Sequence, residues 1–184
     1  MLRKKLSEII RVNHAGECGA KYIYQGQIKA FEIKKDHESK KLVEEMKEHE
    51  DIHFDYFDEQ IVSRNTRPTL ISPLWKVGGY AMGFLTAMAD KKAAMTCTTA
   101  VEEVIDEHYQ EQLNFIEGEK EHLSENEKPE IEELEQKIKE FREDELHHRD
   151  IGYENHADEY RFFNPLSLAI KTITKSAIAI SKKI

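Results

Sequence analysis

Apolar residues recur along most of this chain at intervals of three and four, the spacing that keeps one face of an α-helix out of water. In a first stretch, about Leu6 to Lys34, the stripe passes through Ile10, Asn13, Glu17, Ala20, Tyr24 and Phe31. In a second, about Asp36 to Val62, Val43 and Met46 lead to Glu50, His53 and Phe57. A third follows a cap at Asp90 and runs to Glu117 through Met95, Thr98, Glu102, Ile105, Tyr109, Gln112 and Ile116. The fourth begins near Pro129, a good first-turn residue behind Asn126 or Ser124, and ends about His156. There Leu134, Ile138 and Phe141 step on to Glu145, His148 and Gly152. Turn chemistry at Arg67-Pro68, Ser72-Pro73 and Gly118 separates the segments. The pattern predicts an all-α fold in which four long helices pack as an antiparallel bundle.

Two more segments stand outside these four. Leu74 to Ala89 is mostly apolar, with Trp75, Tyr80, Met82, Phe84 and Leu85, and is too short to span a bilayer comfortably. The C-terminal stretch sets Leu166, Ile170, Ile173, Ala177, Ile180 and Ile184 on one face and Lys171, Lys175 and Lys182 on the other. Segments at about 72–89 and 164–184 are therefore expected to be additional helices suited to an anionic membrane surface. The competing expectation is that they pack on each other or on the bundle.

Composition narrows this picture. With 184 residues and 39% hydrophobic content, residues 1–184 suffice for a single domain with a real core. Glycine (8) and proline (4) are scarce, which favours helices over a turn-rich β fold. Cys18 and Cys97 alone make neither a disulfide framework nor a Cys-x-x-Cys site, and read as small buried residues in a reducing compartment. Any metal must then be held by oxygen and nitrogen. A net charge of −9 argues against a nucleic-acid partner. Acids are missing from Ser63 to Ala89 and after Tyr160, where Arg64, Arg67, Lys76, Arg161, Lys171, Lys175, Lys182 and Lys183 stand. Met1 is followed at once by Leu2-Arg3-Lys4-Lys5 and helical sequence, which fits a bacterial cytoplasmic protein or a processed organelle form.

The polar residues on the buried stripes carry the chemistry. Glu50 and His53, and again Glu145 and His148, are three apart and so share a helix face. Each pair follows a lone glutamate on the preceding long helix, Glu17 or Glu102, so the chain repeats one ligand pattern in its two halves. Four buried carboxylates repel one another unless cations lie between them. Glu17, Glu50, His53, Glu102, Glu145 and His148 are accordingly the expected ligands of a pair of metal ions in a bundle core. Their hard, oxygen-rich surroundings suit iron or manganese. His108 and Tyr109 lie about two turns beyond Glu102 and are candidate catalytic residues for moving protons or electrons, against an ordinary packed role. Asp144 and Asp150 are candidates to orient a ligand histidine through its other nitrogen, against solvated acids. His14 and His147 are expected near the ligands or at the surface.

These residues also resemble a known family. Asn13-His14-Ala15-Gly16-Glu17, Gly19-Ala20 and Ile23-Tyr24-x-Gly26-Gln27 are similar to the opening of the 5-demethoxyubiquinone hydroxylases. Pro68-Thr69, Pro73-Leu74-Trp75, Cys97-Thr98, Ala100-Val101-Glu102-Glu103, His108-Tyr109, Phe141-Arg142-x-x-Glu145-Leu146, His148 and Asp150-Ile151-Gly152 extend the resemblance over essentially the whole chain. Cys18 departs where an aromatic is common, and Arg149 where a second histidine is expected; neither is among the six ligands. The resemblance implies a ferritin-like four-helix bundle with two Fe2+ ions. It implies a monooxygenase that uses O2 to hydroxylate the ring of a polyprenylated methoxy-methyl-benzoquinol in ubiquinone biosynthesis. The implied partners are that quinol and the membrane surface, with other ubiquinone-biosynthesis proteins and a second copy of the chain as further candidates. The implied location is peripheral, on the cytoplasmic face of a bacterial membrane or on a mitochondrial inner membrane. No dinucleotide fingerprint is present, so reduced nicotinamide would act through the quinone or another protein. A soluble ferroxidase or peroxide-reducing bundle of the bacterioferritin or rubrerythrin kind would use the same six ligands. It would leave the cationic apolar segments unexplained. A metal-stabilised scaffold that binds a quinone is the non-enzymatic alternative.

Overall fold

The computed structural model describes residues 2–184; the first residue, with which the reading of the chain's start began, lies outside them. Six α-helices form: α1 (Leu2–Lys34), α2 (His37–Ser63), α3 (Ser72–Ala89), α4 (Lys91–Glu119), α5 (Lys128–Glu154) and α6 (Phe163–Ser181). Short 3-10 turns at Lys120–His122 and Ala157–Glu159 follow α4 and α5, and no strand occurs among the described residues. The predicted all-α bundle with two extra helices is what the chain adopts.

Local chemistry explains the boundaries. Asp36 caps α2 by accepting the Ser39 N–H at 3.0 Å, and Asp90 caps α4 by accepting that of Lys92 at 2.7 Å. Before α5 it is Ser124, rather than Asn126, that heads the entering turn. Its hydroxyl donates to Glu127 at 2.6 Å, and Pro129 occupies the first helical turn. Helix α5 stops at Glu154, two residues before the predicted end, because His156 takes a left-handed backbone (φ 64°) that a helix cannot continue through.

Helices α1, α2, α4 and α5 form the bundle, and side-chain pairs set its register. Lys21–Asp51 (2.7 Å) and His14–Asp58 (3.2 Å) run α1 antiparallel to α2, and Asp106–Arg142 (2.6 Å) ties α4 to α5. Asn13–Gln112 (2.9 Å) and Gln27–Thr98 (3.3 Å) set α1 antiparallel to α4. His49–His148 (3.1 Å) and His53–Asp144 (3.0 Å) do the same for α2 and α5. Two helical hairpins joined by one long crossover is the ferritin-like connection, and α3 lies within that crossover. One apolar cluster gathers Leu6, Ile9, Phe57, Leu113, Ile116, Leu134 and Phe141. Another gathers Phe31, Val43, Met46, Ala94 and Met95. Along each bundle helix the conspicuous glutamates fall between these two clusters.

Helix α3 packs on α1 at backbone distance. A β-carbon at Gly83 would stand 1.9 Å from the Ile23 carbonyl oxygen, and one at Gly26 would stand 2.2 Å from that of Tyr80. Only glycine permits this approach. Helix α6 runs alongside α4 in the same direction, with Lys171 paired to Glu103 and Lys175 to Glu107 (2.7 Å). The Trp75 indole N–H donates to Ser181 Oγ at 3.2 Å, joining the start of α3 to the end of α6. Both segments thus pack on the bundle while keeping an apolar outer surface of Leu74, Val77, Leu85, Leu168, Ile173 and Ile180. The finding modifies the expectation of a cationic face: Lys171 and Lys175 are paired with acids of α4. Among the described residues, no helix is long and apolar enough to cross a membrane.

Candidate metal centre

The core between the two apolar clusters is polar. Glu17, Glu50, His53, Glu102, Glu145 and His148 are all buried, none more than 3% exposed. Glu17 lies on α1, Glu50 and His53 on α2, Glu102 on α4, and Glu145 and His148 on α5. They form two overlapping groups, one of Glu17, Glu50, His53 and Glu145 and one of Glu50, Glu102, Glu145 and His148. Within each group the ligand-capable atoms lie within 4.8 Å of one another. Glu50 and Glu145 belong to both, so the glutamates of the Glu-x-x-His pairs are placed to bridge, and Glu17 and Glu102 to serve one position each.

Both histidines face inward by the same atom. His53 Nδ1 lies 3.2 Å from Glu145 and 3.5 Å from Glu17; His148 Nδ1 lies 3.2 Å from Glu50 and 3.5 Å from Glu145. Neither Nδ1 has a hydrogen-bond partner, nor do both Glu50 oxygens, Glu102 Oε2 or Glu145 Oε2. So many unpaired buried polar atoms converging on one space would be costly in an otherwise satisfied core. They are the donor set that a pair of hard cations requires, and the residues therefore fit such ions.

Electrostatics tell the same story. Burial, then repulsion from Glu145 and Glu17, pushes the Glu50 carboxyl well above the usual range. Burial and repulsion from Glu145 and Glu50 do likewise for Glu102. Burial works against a charged His53, but close approach of Asp144, Glu145 and Glu17 overcomes it and raises its pKa. Burial also opposes a charged Glu145, yet His148 and His53 pull this carboxyl below its ordinary value. Without metal, protons on the histidines and on some carboxyls balance the charge that cations would otherwise carry.

The surrounding residues repeat the two-fold pattern. The Tyr24 hydroxyl donates to Glu102 Oε1 at 2.7 Å, and that of Tyr109 donates to Glu17 Oε1. Each lone glutamate is thus held by the tyrosine of the other half. Burial first, and the adjoining glutamate charges second, raise both phenols well above their usual pKa, so they remain donors. Asp144 reaches His53 Nε2 at 3.0 Å, the orienting contact considered for it. Asp150 instead pairs with Arg149 at 2.6 Å on the exposed side of α5. His148 Nε2 meets His49 Nδ1 at 3.1 Å.

The remaining candidates lie apart from the cluster. His108 is adjacent to Tyr109, but its ring turns away and accepts from Gln112 at 2.7 Å. Gln112 in turn exchanges amide hydrogen bonds with Asn13. Burial, with Lys182 and Lys5 nearby, lowers the His108 pKa to about 4. His14 pairs with Asp58, and His147 is exposed. Cys18 and Cys97 are buried free thiols. Tyr24 is expected from the sequence only as a residue of the buried stripe, and His49 is not singled out by it at all. Tyr24 follows Glu17 by the same seven residues that separate Tyr109 from Glu102, and His49 stands immediately before Glu50 as Asp144 stands before Glu145.

Residues next to Glu17 and Glu102 in the chain line an apolar cavity of about 400 Å³, although the six cluster residues themselves do not. Helices α1, α3, α4 and α6 all contribute to its wall. Gly16 and Ala20 line it on either side of Glu17, and Val101 and Ile105 on either side of Glu102. Leu74 and Ile173 also line it while remaining 59% and 54% exposed, so the cavity meets the apolar outer surface between α3 and α6.

Fold and site together place the chain in the class of helical bundles whose core holds a carboxylate–histidine cluster suited to a pair of metal ions. The family model described as "Ubiquinone biosynthesis protein COQ7" matches residues 4–181. A 3-demethoxyubiquinol 3-hydroxylase of Rhodospirillum rubrum is 41% identical over 179 residues, 97% of this chain and 78% of that protein. A mitochondrial NADPH-dependent 3-demethoxyubiquinone 3-hydroxylase of Caenorhabditis elegans is 37% identical, covering 97% of this chain and 90% of its own. The human protein of that name is also 37% identical, over 99% of this chain and 79% of its own. This chain belongs to the COQ7 family of ubiquinone biosynthesis proteins.

Proposed function

We propose that this protein is a di-iron monooxygenase that uses O2 to hydroxylate the ring of a polyprenylated 6-methoxy-3-methyl-1,4-benzoquinol, a reading supported by relatives named as demethoxyubiquinol and demethoxyubiquinone hydroxylases. The observation that carries the reading is the apolar cavity alongside Glu17 and Glu102, open toward the surface between α3 and α6. A ferroxidase or peroxide reductase has no use for such a chamber next to its metals, whereas a prenylated quinol does.

Iron held by Glu17, Glu50, His53, Glu102, Glu145 and His148 would supply the redox chemistry that activates O2. The rest is the work of this chain's residues. Tyr24 and Tyr109 hold Glu102 and Glu17 through one oxygen each, and the other oxygen of Glu102 has no hydrogen-bond partner while that of Glu17 lies 3.5 Å from His53 Nδ1. Asp144 and His49 fix the ring orientation of His53 and His148. The Tyr109 proton sits between its phenol oxygen and Glu17, where it can follow a change in carboxylate charge. His108 joins the Asn13–Gln112 amide pair and supports α1 against α4 at the end of the site. Ala20, Ile23, Met82, Ile105 and their neighbours exclude water from the quinol ring, and Leu74 and Ile173 form the entrance for its tail.

In this reading the protein works at a membrane surface, where the apolar outer face of α3 and α6 meets the lipid that holds the quinol. The face would be cytoplasmic in a bacterium, or that of the inner membrane in a mitochondrion. Electrons come from reduced nicotinamide by way of the quinone or a partner, in keeping with the NADPH dependence in the relatives' names. The test is aerobic turnover of the iron-loaded protein with the demethoxyquinol and reductant in lipid, followed by mass analysis. A gain of one oxygen by the ring, lost in Glu102→Ala with the fold retained, is expected. Active iron without ring oxidation would sink the proposal.

A further inference from the structure

The ligands of the two halves correspond one to one, and the partners of the two ligand histidines differ in charge. Glu17 matches Glu102, Glu50 matches Glu145, His53 matches His148, and Tyr24 matches Tyr109 in spacing and in hydrogen bonding. The residue before each bridging glutamate reaches across to the histidine of the opposite helix. His49 on α2 meets His148 Nε2 at 3.1 Å, and Asp144 on α5 meets His53 Nε2 at 3.0 Å. One partner is a carboxylate and the other an imidazole.

This difference matters because both histidines turn Nδ1 toward the cluster and Nε2 toward these partners. A carboxylate accepting the Nε2–H pushes negative charge into the ring, which strengthens the bond Nδ1 makes to a cation. A charge-assisted hydrogen bond is about twice as strong as a neutral one. An imidazole partner brings no negative charge and confers orientation alone. The other neighbours differ as well, since Glu17 and Phe141 lie against His53 and Glu50 and Tyr24 against His148, but only at Nε2 does one histidine meet a carboxylate where the other meets an imidazole.

We propose that Asp144 and His49 are unequal positioning residues, so that the metal position served by Glu17 and His53 binds its ion more tightly and fills before the one served by Glu102 and His148. This inference rests on the reading of the cluster as a two-metal site. It concerns ion loading rather than oxygen chemistry, and is read without turnover.

The experiment is an anaerobic Co2+ titration of the metal-free full chain, followed by calorimetry and by the visible absorption of histidine-ligated cobalt. Two steps separated by about tenfold or more are expected. Repulsion between the ions alone would also separate the steps, so the variants decide. Asp144→Asn should weaken the first step by about 10–100-fold and leave the second almost unmoved. Asp144 is partly exposed, so this change does not empty the core. His49→Asp should tighten the second step by a comparable factor and bring the two together, while His49→Gln, which orients without charge, should keep the original order. His148→Ala should retain the tight step and His53→Ala the weak one. Two indistinguishable steps in the unsubstituted protein, or variants that shift both steps alike, would overturn the inference and leave the metal site standing. Failure to bind Co2+ at all would overturn the metal site and this inference with it.

Discussion

Among the described residues, Tyr24 and Tyr109 are each the only hydroxyl donor to one buried glutamate, and their equivalence makes a sharp expectation. Replacing either by Phe removes a buried hydrogen bond and leaves a carboxylate oxygen without a partner, at about 1–3 kcal/mol. The two variants should lose similar amounts in urea denaturation, with helix content unchanged. A loss confined to one of them would mean that the halves are not equivalent. The titrating residues permit a second expectation. Glu50, Glu102, His53 and His148 have pKa values raised in the folded, metal-free protein, so each binds protons more tightly than in the unfolded chain. Their contribution is greatest below their unfolded values and fades as pH rises. His14, His49 and His108 are shifted the other way, but their contributions are already complete above the ordinary histidine value of 6.5. Between about pH 7 and about pH 9 the metal-free protein should therefore lose stability. Added Fe2+ or Mn2+ should reverse the slope, since metal competes with those same protons. Denaturation curves at the two pH values, with chelator and with metal, check this.

At the level of the elements, the α1–α3 contact is the least forgiving. A methyl at Gly83 would meet the Ile23 carbonyl, a backbone group that no rotamer change can move. Gly83→Ala should cost about 1–3 kcal/mol or more. It should also expose α3 to limited proteolysis before the bundle melts. Thermal unfolding and the cleavage pattern measure both. Much of this layer was legible in the chain, because a helix announces its buried face. The four bundle helices and both extra segments follow from apolar spacing, and Glu17, Glu50, His53, Glu102, Glu145 and His148 could be recognised as polar residues at core positions. Relations between helices were not legible. Spacing along one helix cannot say that Glu50 and Glu145 are shared while Glu17 and Glu102 are not. Nor can it say that His108, one residue from Tyr109, turns from the cluster to Gln112. The pairing of Lys171 and Lys175 with Glu103 and Glu107 was likewise hidden, because those residues lie far apart in the chain.

Taken as a whole, the molecule has over α3 and α6 a surface of exposed apolar residues, and two of its lysines, Lys171 and Lys175, are paired with acids of α4. Attachment to lipid should then depend more on apolar residues than on these lysines. Val77→Asp and Leu168→Asp should each lower co-sedimentation with anionic vesicles more than Lys171→Ala does, and Lys171→Ala should change stability by no more than about 1 kcal/mol. Vesicle pelleting over a range of salt concentrations tests the ranking; a steep salt dependence with indifference to Val77→Asp would refute it. The two glutamates common to both groups carry a last implication. Glu50 and Glu145 come from opposite halves of the chain, and each group of ligands borrows one of them. A single helical hairpin therefore owns only half of the cluster: one glutamate of a single group, one shared glutamate and one histidine. Two identical hairpins related by a dyad would own a whole one. In the vocabulary of symmetry, the chain is a pseudo-dimer of hairpins that carries its own partner, with α3 in the link between them.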